Sequence, residues 1–516
     1  MTTVNQPRVA VNILPAATQV GNTGQKILFI GQMTTGTATA GALVESVGNG
    51  GAEDALFGAN SAIASLIRAN KVRNQEVRVD AIALADNGAG VAAAGSFDLS
   101  GTATEAGELV IVAGGYANHR YSIAVALGDT ATVIGDAVEA AILADTKSQL
   151  TAVNTTGTVD VTCDNAGTYG NGLPLEIIGS VAGITTGVTG MSGGVTDPLL
   201  TGVFDPVGES RYQAVVWQYA DDTSAIRGFL DARFDADGAV QDGVAFTATN
   251  DTFANLTTLG DALNSQSLVI FGGQQETETN YSGGDIVEHP MIKAAIFAGY
   301  RGLRLDTSGF SIADLVIATN GALDAFGGPA LASKPYFNTP AATLFAIKTG
   351  RGFDKLEVET LLDSGISLAG NNVAGNTVIF GEVVTTYKTD VAGNPDISFK
   401  FLNYVDTATQ SREYFFNNYR KRFAQSRLTE GDTIQGRDMA NANTLRSYSK
   451  RLYADLSGTD FVLLEAGDEA LQFYDDNLII LIDKAQGKAT ISMKVIIVTQ
   501  LREIIATMQL AFSTEG

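Results

Sequence analysis

The segment KILFIG (Lys26–Gly31) is a continuous apolar strand. GAEDALFGANSAIASLIRAN (Gly51–Asn70) repeats apolar residues at helical spacing, and EVRVDAIAL (Glu76–Leu84) alternates as a second strand. Three such segments in this order predict a βαβ-like unit, which restricts the chain to folds that lay helices against a sheet. With 516 residues the chain exceeds one ordinary core. A modular α/β and α+β protein follows.

The pattern changes along the chain. Ser96–Leu127 alternates strands with turns, DAVEAAILADTKSQL (Asp136–Leu150) reads as a helix, and TGTVDVTC (Thr156–Cys163) as a strand, which predicts a small α+β insert over 91–180. Beyond TDPLLTGVF the α/β pattern resets. RYQAVVWQYAD, GVAFTATND and SLVIFGG read as strands and TSAIRGFLDARFD as a helix, a second α/β domain over 181–334. Farther on, FDKLEVETLLDSG and SREYFFNNYRKRFAQSR (Ser411–Arg427) read as helices, and NTVIFGEVVTTYKTD contains strands. Residues 1–25 and 501–516 read as terminal arms. Each arm carries alternating apolar residues at a free end: Val9, Val11 and Ile13 in one, and Ile504, Ala506, Met508, Leu510 and Phe512 in the other. An apolar terminal strand is an aggregation hazard unless something pairs with it.

Composition narrows the partners. Acidic residues outnumber basic ones 56 to 33, a net charge of −23 that repels phosphate backbones and anionic lipid. Nucleic acid is therefore excluded as a partner. No apolar run reaches the length of a membrane span, and the amino terminus lacks the charged and apolar regions of a signal peptide. No membrane insertion or secretory routing is expected.

The chain offers little for catalysis. Two histidines, His119 and His289, and one cysteine, Cys163, cannot assemble the usual zinc or iron sites. Metal and cofactor are both expected to be none, and Cys163 is read as a packed thiol. GNTGQK (Gly21–Lys26) lacks phosphate-loop spacing. In GNGGAEDALFG, Glu53 stands where the dinucleotide pattern needs its third glycine. Gly190–Gly194, GMSGG, matches a nucleophile elbow around Ser192 without the strand before it or the helix after it, so a turn is expected there. The pairs Asp221–Asp222 and Asp475–Asp476 read as solvated faces or caps, and Trp217 as a core strand residue.

One stretch breaks the charge balance. Nine basic residues between Arg412 and Arg451 face four acidic ones, and Arg420, Lys421, Arg422 and Arg427 form a candidate docking surface for an acidic partner. Phe415, Tyr419 and Phe423, at i, i+4 and i+8, mark the packed face of the same helix.

The segments GTATEAGELV, DNAGTYGNGLPLEI, GMSGGVTDPLL, RYQAVVWQYAD and VAFTATNDTFANLTTLGDALNSQSLVIFG occur in an order and spacing that resembles the tail sheath proteins of Mu-like contractile-tailed phages. LLDSGISLAGNNVAGNTVIFGEVVTTYKTDVAGNPDISF and the closing alternating strands extend the likeness over about residues 27–512. The resemblance implies a structural, non-enzymatic subunit that stacks as six-membered rings around a tail tube and contracts to drive the tube through the host envelope. It implies a discontinuous core domain made from both chain ends, residues 26–90 and 335–500, two projecting middle domains, and arms that add strands to neighbouring copies. The partners it implies are further copies of the chain, the tube protein, and baseplate and tail terminator proteins. It also implies assembly in the host cytoplasm and residence in the virion tail. On this reading Val9, Val11, Ile13, Ile504, Met508 and Leu510 carry strand addition, and Arg420, Lys421, Arg422 and Arg427 face the tube. A β-rich surface or secreted adhesin and a serine hydrolase acting through Ser192 are the alternatives.

Overall fold

The computed structural model describes residues 24–72, 74–114, 119–234, 241–274, 288–306, 331–341, 352–371, 378–431, 439–458 and 461–500. Nine strands form its main sheet, in the spatial order Thr339–Pro340, Val378–Phe380, Ile366–Asn371, Leu268–Gln274, Val244–Asp251, Ala214–Trp217, Lys26–Gln32, Arg78–Leu84, Leu43–Val44. From Ile366–Asn371 through Arg78–Leu84 the pairing is parallel throughout. Parallel strands need crossover connections that put helices on the sheet, and the two faces are covered accordingly. Alternate side chains enter two separate cores: Ile27, Phe29 and Val216 lie in one, and Leu28, Ile30, Val215 and Trp217 in the other. Helices Ala62–Lys71 and Pro290–Leu305 supply the first core, and Ser224–Phe234, Phe253–Asp261 and Lys355–Asp363 the second.

This pairing joins what the sequence reading separates. Ile27 through Ile30 lie in parallel register with Ala214 through Trp217, so the pattern that resets beyond residue 200 returns to the same sheet. The ladder is made of backbone groups, which carry no side-chain signature of which strand will be the neighbour.

The helical stretch 51–70 is two helices, Ala52–Phe57 and Ala62–Lys71. Gly58 separates them at φ +89°, and a Cβ there would fall 2.3 Å from Thr34 Oγ1, so the break requires glycine. Ser61 starts the second helix by accepting a hydrogen bond from Ala64 N.

The insert consists of a four-stranded and a three-stranded antiparallel sheet. The first runs Ile184–Ser192, Ala92–Gly101, Thr158–Ala166, Leu150–Thr155, and the second Arg120–Val125, Gly107–Ala113, Leu175–Ile178. Its helix, Ala131–Ala144, starts earlier than the spacing predicts, because Thr130 caps it. The expected boundary at 180 falls short: Ile184–Ser192 pairs with Ala92–Gly101 and completes the insert.

The carboxy-terminal part is built on the Leu402–Phe423 helix, with Ala442–Ser457, Asp468–Asp476 and the hairpin Ile479–Asp483/Lys488–Ser492 around a third core of Phe415, Leu452, Tyr453, Leu463 and Tyr474. The first half of the long helix is clamped to the main sheet. Arg301 donates to Asp406 from Nε (3.1 Å) and Nη2 (2.5 Å), Tyr336 also donates to Asp406, and Arg412 pairs with Asp242 at 2.9 Å. Among the described residues no helix is long and apolar enough to cross a membrane.

Candidate assembly surfaces

In an open parallel sheet, ligands bind outside the carboxyl ends of the strands where the strand order reverses. Here that point lies between Lys26–Gln32 and Ala214–Trp217, since the chain builds outward from the first of these on one side and later returns on its other. The insert fills it. Gln32 and Gln218 bond each other through their amides, Gln218 Nε2 donating at 2.8 Å and Gln32 N donating to Gln218 Oε1 at 2.9 Å. Gln32 Nε2 donates to Asp86 and to the carbonyl of Ala166. Asn165 Nδ2 donates to Met33 O (3.0 Å) and Asp86 (3.1 Å), and Ala166 N to Asp86 (2.8 Å). The Ala62–Lys71 helix would offer a phosphate its amino-terminal N–H groups. Ala62 N donates instead to Asn165 Oδ1 at 2.9 Å. The position of a nucleotide crevice is thus a lock between insert and sheet.

The candidate catalytic residues are engaged in packing. Glu53 is buried and pairs with Lys71 at 3.1 Å. His289 caps the Pro290–Leu305 helix, its Nδ1 accepting from Met291 N, while Nε2 donates to Tyr169 O at 2.9 Å and the ring stacks on Tyr169 at 4.0 Å. Burial pushes its imidazole down to about 4. His119 meets Asp145 at 3.0 Å, and burial lowers its pKa against the pull of that carboxylate. Cys163 is buried in Thr158–Ala166, which raises its thiol to about 12. Ser192 ends a strand rather than sitting in the expected turn, and a register shift between Thr189 and Ser192 marks the glycines around it. Trp217 is fully buried. Asp222 accepts from Ser224 N and Oγ at the start of a helix. Asp475 pairs with Arg446 and Lys450 at 2.9 and 2.8 Å. Among the described residues, no group of three His, Cys, Asp or Glu could hold a metal ion.

Those pairings divide the basic stretch. Arg412, Arg446 and Lys450 are neutralised by Asp242 and Asp475, acids far away in sequence. Arg420, Lys421, Arg422 and Arg427 are exposed, and none forms an ion pair among the described residues. The helix begins at Leu402 and ends at Phe423, so Arg427 lies beyond it in the short strand Arg427–Leu428. The other three cations occupy its last turn, where the helix dipole favours positive charge. The aromatic face expected for this helix is present: Phe415 is buried in the third core, Tyr419 Oη lies 2.5 Å from Ser449 Oγ, and Phe423 meets Tyr448 edge-on at 5.2 Å. Aromatics on one side fix the helix, and the cations beyond face solvent.

The hairpin Ile479–Asp483/Lys488–Ser492 is a sheet of two strands. Ile480 and Ile491 pack onto the third core. On the other face Ile479 and Leu481 are 54% and 64% exposed. Among the described residues the two strands pair only with each other, so each has a free backbone edge, and an isolated hairpin is marginal in water. The residues predicted to add strands, Val9, Val11, Ile13, Ile504, Met508 and Leu510, lie outside the described residues.

No protein-family profile matches the chain. It is 25% identical over 419 residues to the Mu-like prophage FluMu tail sheath protein of Haemophilus influenzae, a match spanning 80% of this chain and 78% of that protein. Among solved structures it is similar to the sheath tail protein of Desulfitobacterium hafniense, at 12% identity and a TM-score of 0.44 over 95% of this chain and 99% of that one. It is also similar to a chain in the anti-feeding prophage baseplate, at 11% identity and a TM-score of 0.45 over 99% of this chain and all of that one.

Proposed function

We propose that this chain is the subunit of a contractile tail sheath, polymerising as stacked six-membered rings around a tail tube and shortening to drive the tube through a cell envelope. The observation that carries the reading is the sequence match to the FluMu tail sheath protein, which runs through about four fifths of both chains. The serine hydrolase alternative finds no elbow at Ser192, which ends the strand Ile184–Ser192.

The chemistry of the two surfaces supports it. The open edges of the 479–492 hairpin can accept strands through backbone donors and acceptors, whatever the side chains. The arms of neighbouring copies supply them: Val9, Val11 and Ile13 from one, and Ile504, Met508 and Leu510 from another. Arg420, Lys421, Arg422 and Arg427 dock on an acidic tube, an assignment that rests on their exposure and on their forming no ion pair among the described residues. Baseplate and tail terminator proteins close the two ends of the cylinder. The body built on the main sheet, to which residues 26–84, 214–274 and 366–380 all contribute, forms the inner layer with the insert outside it, and the assembly is made in the host cytoplasm for the virion tail. Contraction then draws on strain held in the extended polymer behind a kinetic barrier, relaxing by rigid-body rotation of subunits.

Negative-stain electron microscopy of the purified chain tests the reading. Striated hollow tubes or six-fold rings are expected, alone or on co-expression with the tube protein, and monomers under both conditions would overturn it. Deleting residues 1–15 or 500–516 should leave soluble monomer, and normal polymer from both truncations would remove the strand-addition assignment. Reversing the charges at Arg420, Lys421, Arg422 and Arg427 should abolish templating by the tube and spare tube-free polymer.

A further inference from the structure

We propose that Asn49 is a site of spontaneous covalent modification, at which the backbone nitrogen of Gly50 closes onto the side chain, ammonia leaves, and water opens the ring to aspartate or isoaspartate. Three Asn-Gly pairs lie among the described residues: Asn49–Gly50, Asn87–Gly88 and Asn171–Gly172. Each has the glycine that this chemistry favours, because no Cβ hinders the approach of its nitrogen. The fold treats them differently. Asn49 and Gly50 are both exposed, in the loop between the strand Leu43–Val44 and the helix Ala52–Phe57.

The other two asparagines are held at both ends of their amides. Asn87 Oδ1 accepts from Ala89 N at 3.0 Å, and its Nδ2 donates to Asp197 O at 3.1 Å. Asn171 Oδ1 accepts from Gly194 N at 2.8 Å, and its Nδ2 donates to Gly194 O at 2.9 Å. Gly172 is enclosed as well, since a Cβ on it would fall 2.8 Å from His289 Nε2. Asn49 is held at one end, Nδ2 donating to Gln75 O at 2.9 Å on the surface. A Cβ built on Gly50 would meet nothing within 4 Å, and Gly50 and Gly51 lie at φ +79° and +90°. Among the described residues, the Asn49 amide therefore has one bond to break and open space in which to turn, where each of the others has two bonds to break. One hydrogen bond more slows a reaction by about fivefold.

Water is the co-reactant. Gly50 N bonds to Asn49 Cγ, the Cγ–Nδ2 bond breaks, and the amide proton of Gly50 ends on the departing nitrogen, which leaves as ammonia. Water then adds to one carbonyl carbon of the five-membered ring, and the bond from that carbon to Gly50 N breaks. Opening at Cγ gives aspartate, and opening at the main-chain carbonyl of residue 49 gives isoaspartate. Either product adds a negative charge to a chain of net −23, and isoaspartate also lengthens the main chain by one carbon. Both changes fall beside Gly48, whose carbonyl accepts from Lys71 Nζ, the partner of buried Glu53. The proposal does not depend on the sheath reading.

Peptide mapping of the full-length protein tests it, after incubation at mildly alkaline pH both folded and unfolded in guanidinium chloride. Trypsin places the three asparagines in separate peptides, 27–68, 79–120 and 148–211. Conversion raises a peptide's mass by the difference between water and ammonia, and fragmentation locates the altered residue. In the folded protein Asn49 is expected to convert at least about fivefold faster than Asn87 or Asn171, and in guanidinium chloride the three rates should draw level. Folded-state conversion at Asn49 no faster than at Asn87 would overturn the proposal. So would a mass gain in 27–68 that fragmentation assigns to Asn60. If Asn49 kept the same lead in the unfolded chain, neighbouring residues rather than the fold would be selecting it, and the proposal as stated would fail.

Discussion

The main sheet and the carboxy-terminal hairpin solve the same problem in opposite ways. Both must satisfy strand backbone and cover apolar side chains. The sheet does so inside one subunit: its central strands pair on both sides, and helices cover both faces. The hairpin has two strands, one packed face, and an outer face that exposes Ile479 and Leu481. Among the described residues the sheet is covered by its own elements, whereas the hairpin leaves two backbone edges unpaired and one apolar face open. A chain that polymerises needs both, a rigid body and a surface that gains more from a neighbour than from water.

The contrast can be broken most directly in the sheet. Phe297 is fully buried and meets Phe246, Phe271, Phe380 and Tyr336 at ring distances of 5.0 to 5.5 Å. Phe297→Ala should cost about 3–5 kcal/mol of subunit stability in urea titration. A cost below about 1 kcal/mol would mean that this face is not the rigid part of the molecule.

A somewhat smaller effect is expected from pH at the lock between insert and helix. The folded state keeps His289 neutral down to about pH 4, whereas the unfolded imidazole protonates near its ordinary value of 6.5. The unfolded chain therefore binds more protons between those values. Stability that is complete above pH 6.5 falls as pH drops toward 4, by roughly 3 kcal/mol in all, and no further below. His289→Gln should flatten that part of the stability–pH curve, and an unchanged slope would show that another group titrates there.

The smallest change in the subunit should come from the hairpin. Leu481→Ser should alter monomer stability by no more than about 0.5 kcal/mol, yet raise the concentration needed to polymerise, as read by sedimentation. A large loss of monomer stability would reverse the comparison, because the outer face would then be internal core.

Much of this was legible in the order of residues. The strand KILFIG, the helices ending near Phe234 and Asp363, and the aromatic face Phe415–Tyr419–Phe423 follow from side-chain period, a local property of the chain. The break at Gly58 was legible too, in a glycine followed by Ala-Asn-Ser, although the apolar spacing on both sides hid it. The strand Ile184–Ser192 was not, because a run of glycine and threonine reads as turn until Ala92–Gly101 lies beside it. The cations that form no ion pair among the described residues could be found by counting charges only in part: Arg412, for example, is neutralised by Asp242, distant in sequence.

By itself, the sequence determined the local elements, the poverty of catalytic groups and the sign of the surface, since each depends on residue type and spacing along the chain. Tertiary structure alone decided that 26–84 and 214–274 share one sheet, that Asn165 occupies the crevice where a ligand would bind, and that the edges of the 479–492 hairpin are left open among the described residues. Those outcomes rest on backbone hydrogen bonds and on contacts between segments far apart in sequence, whose partners no local pattern specifies.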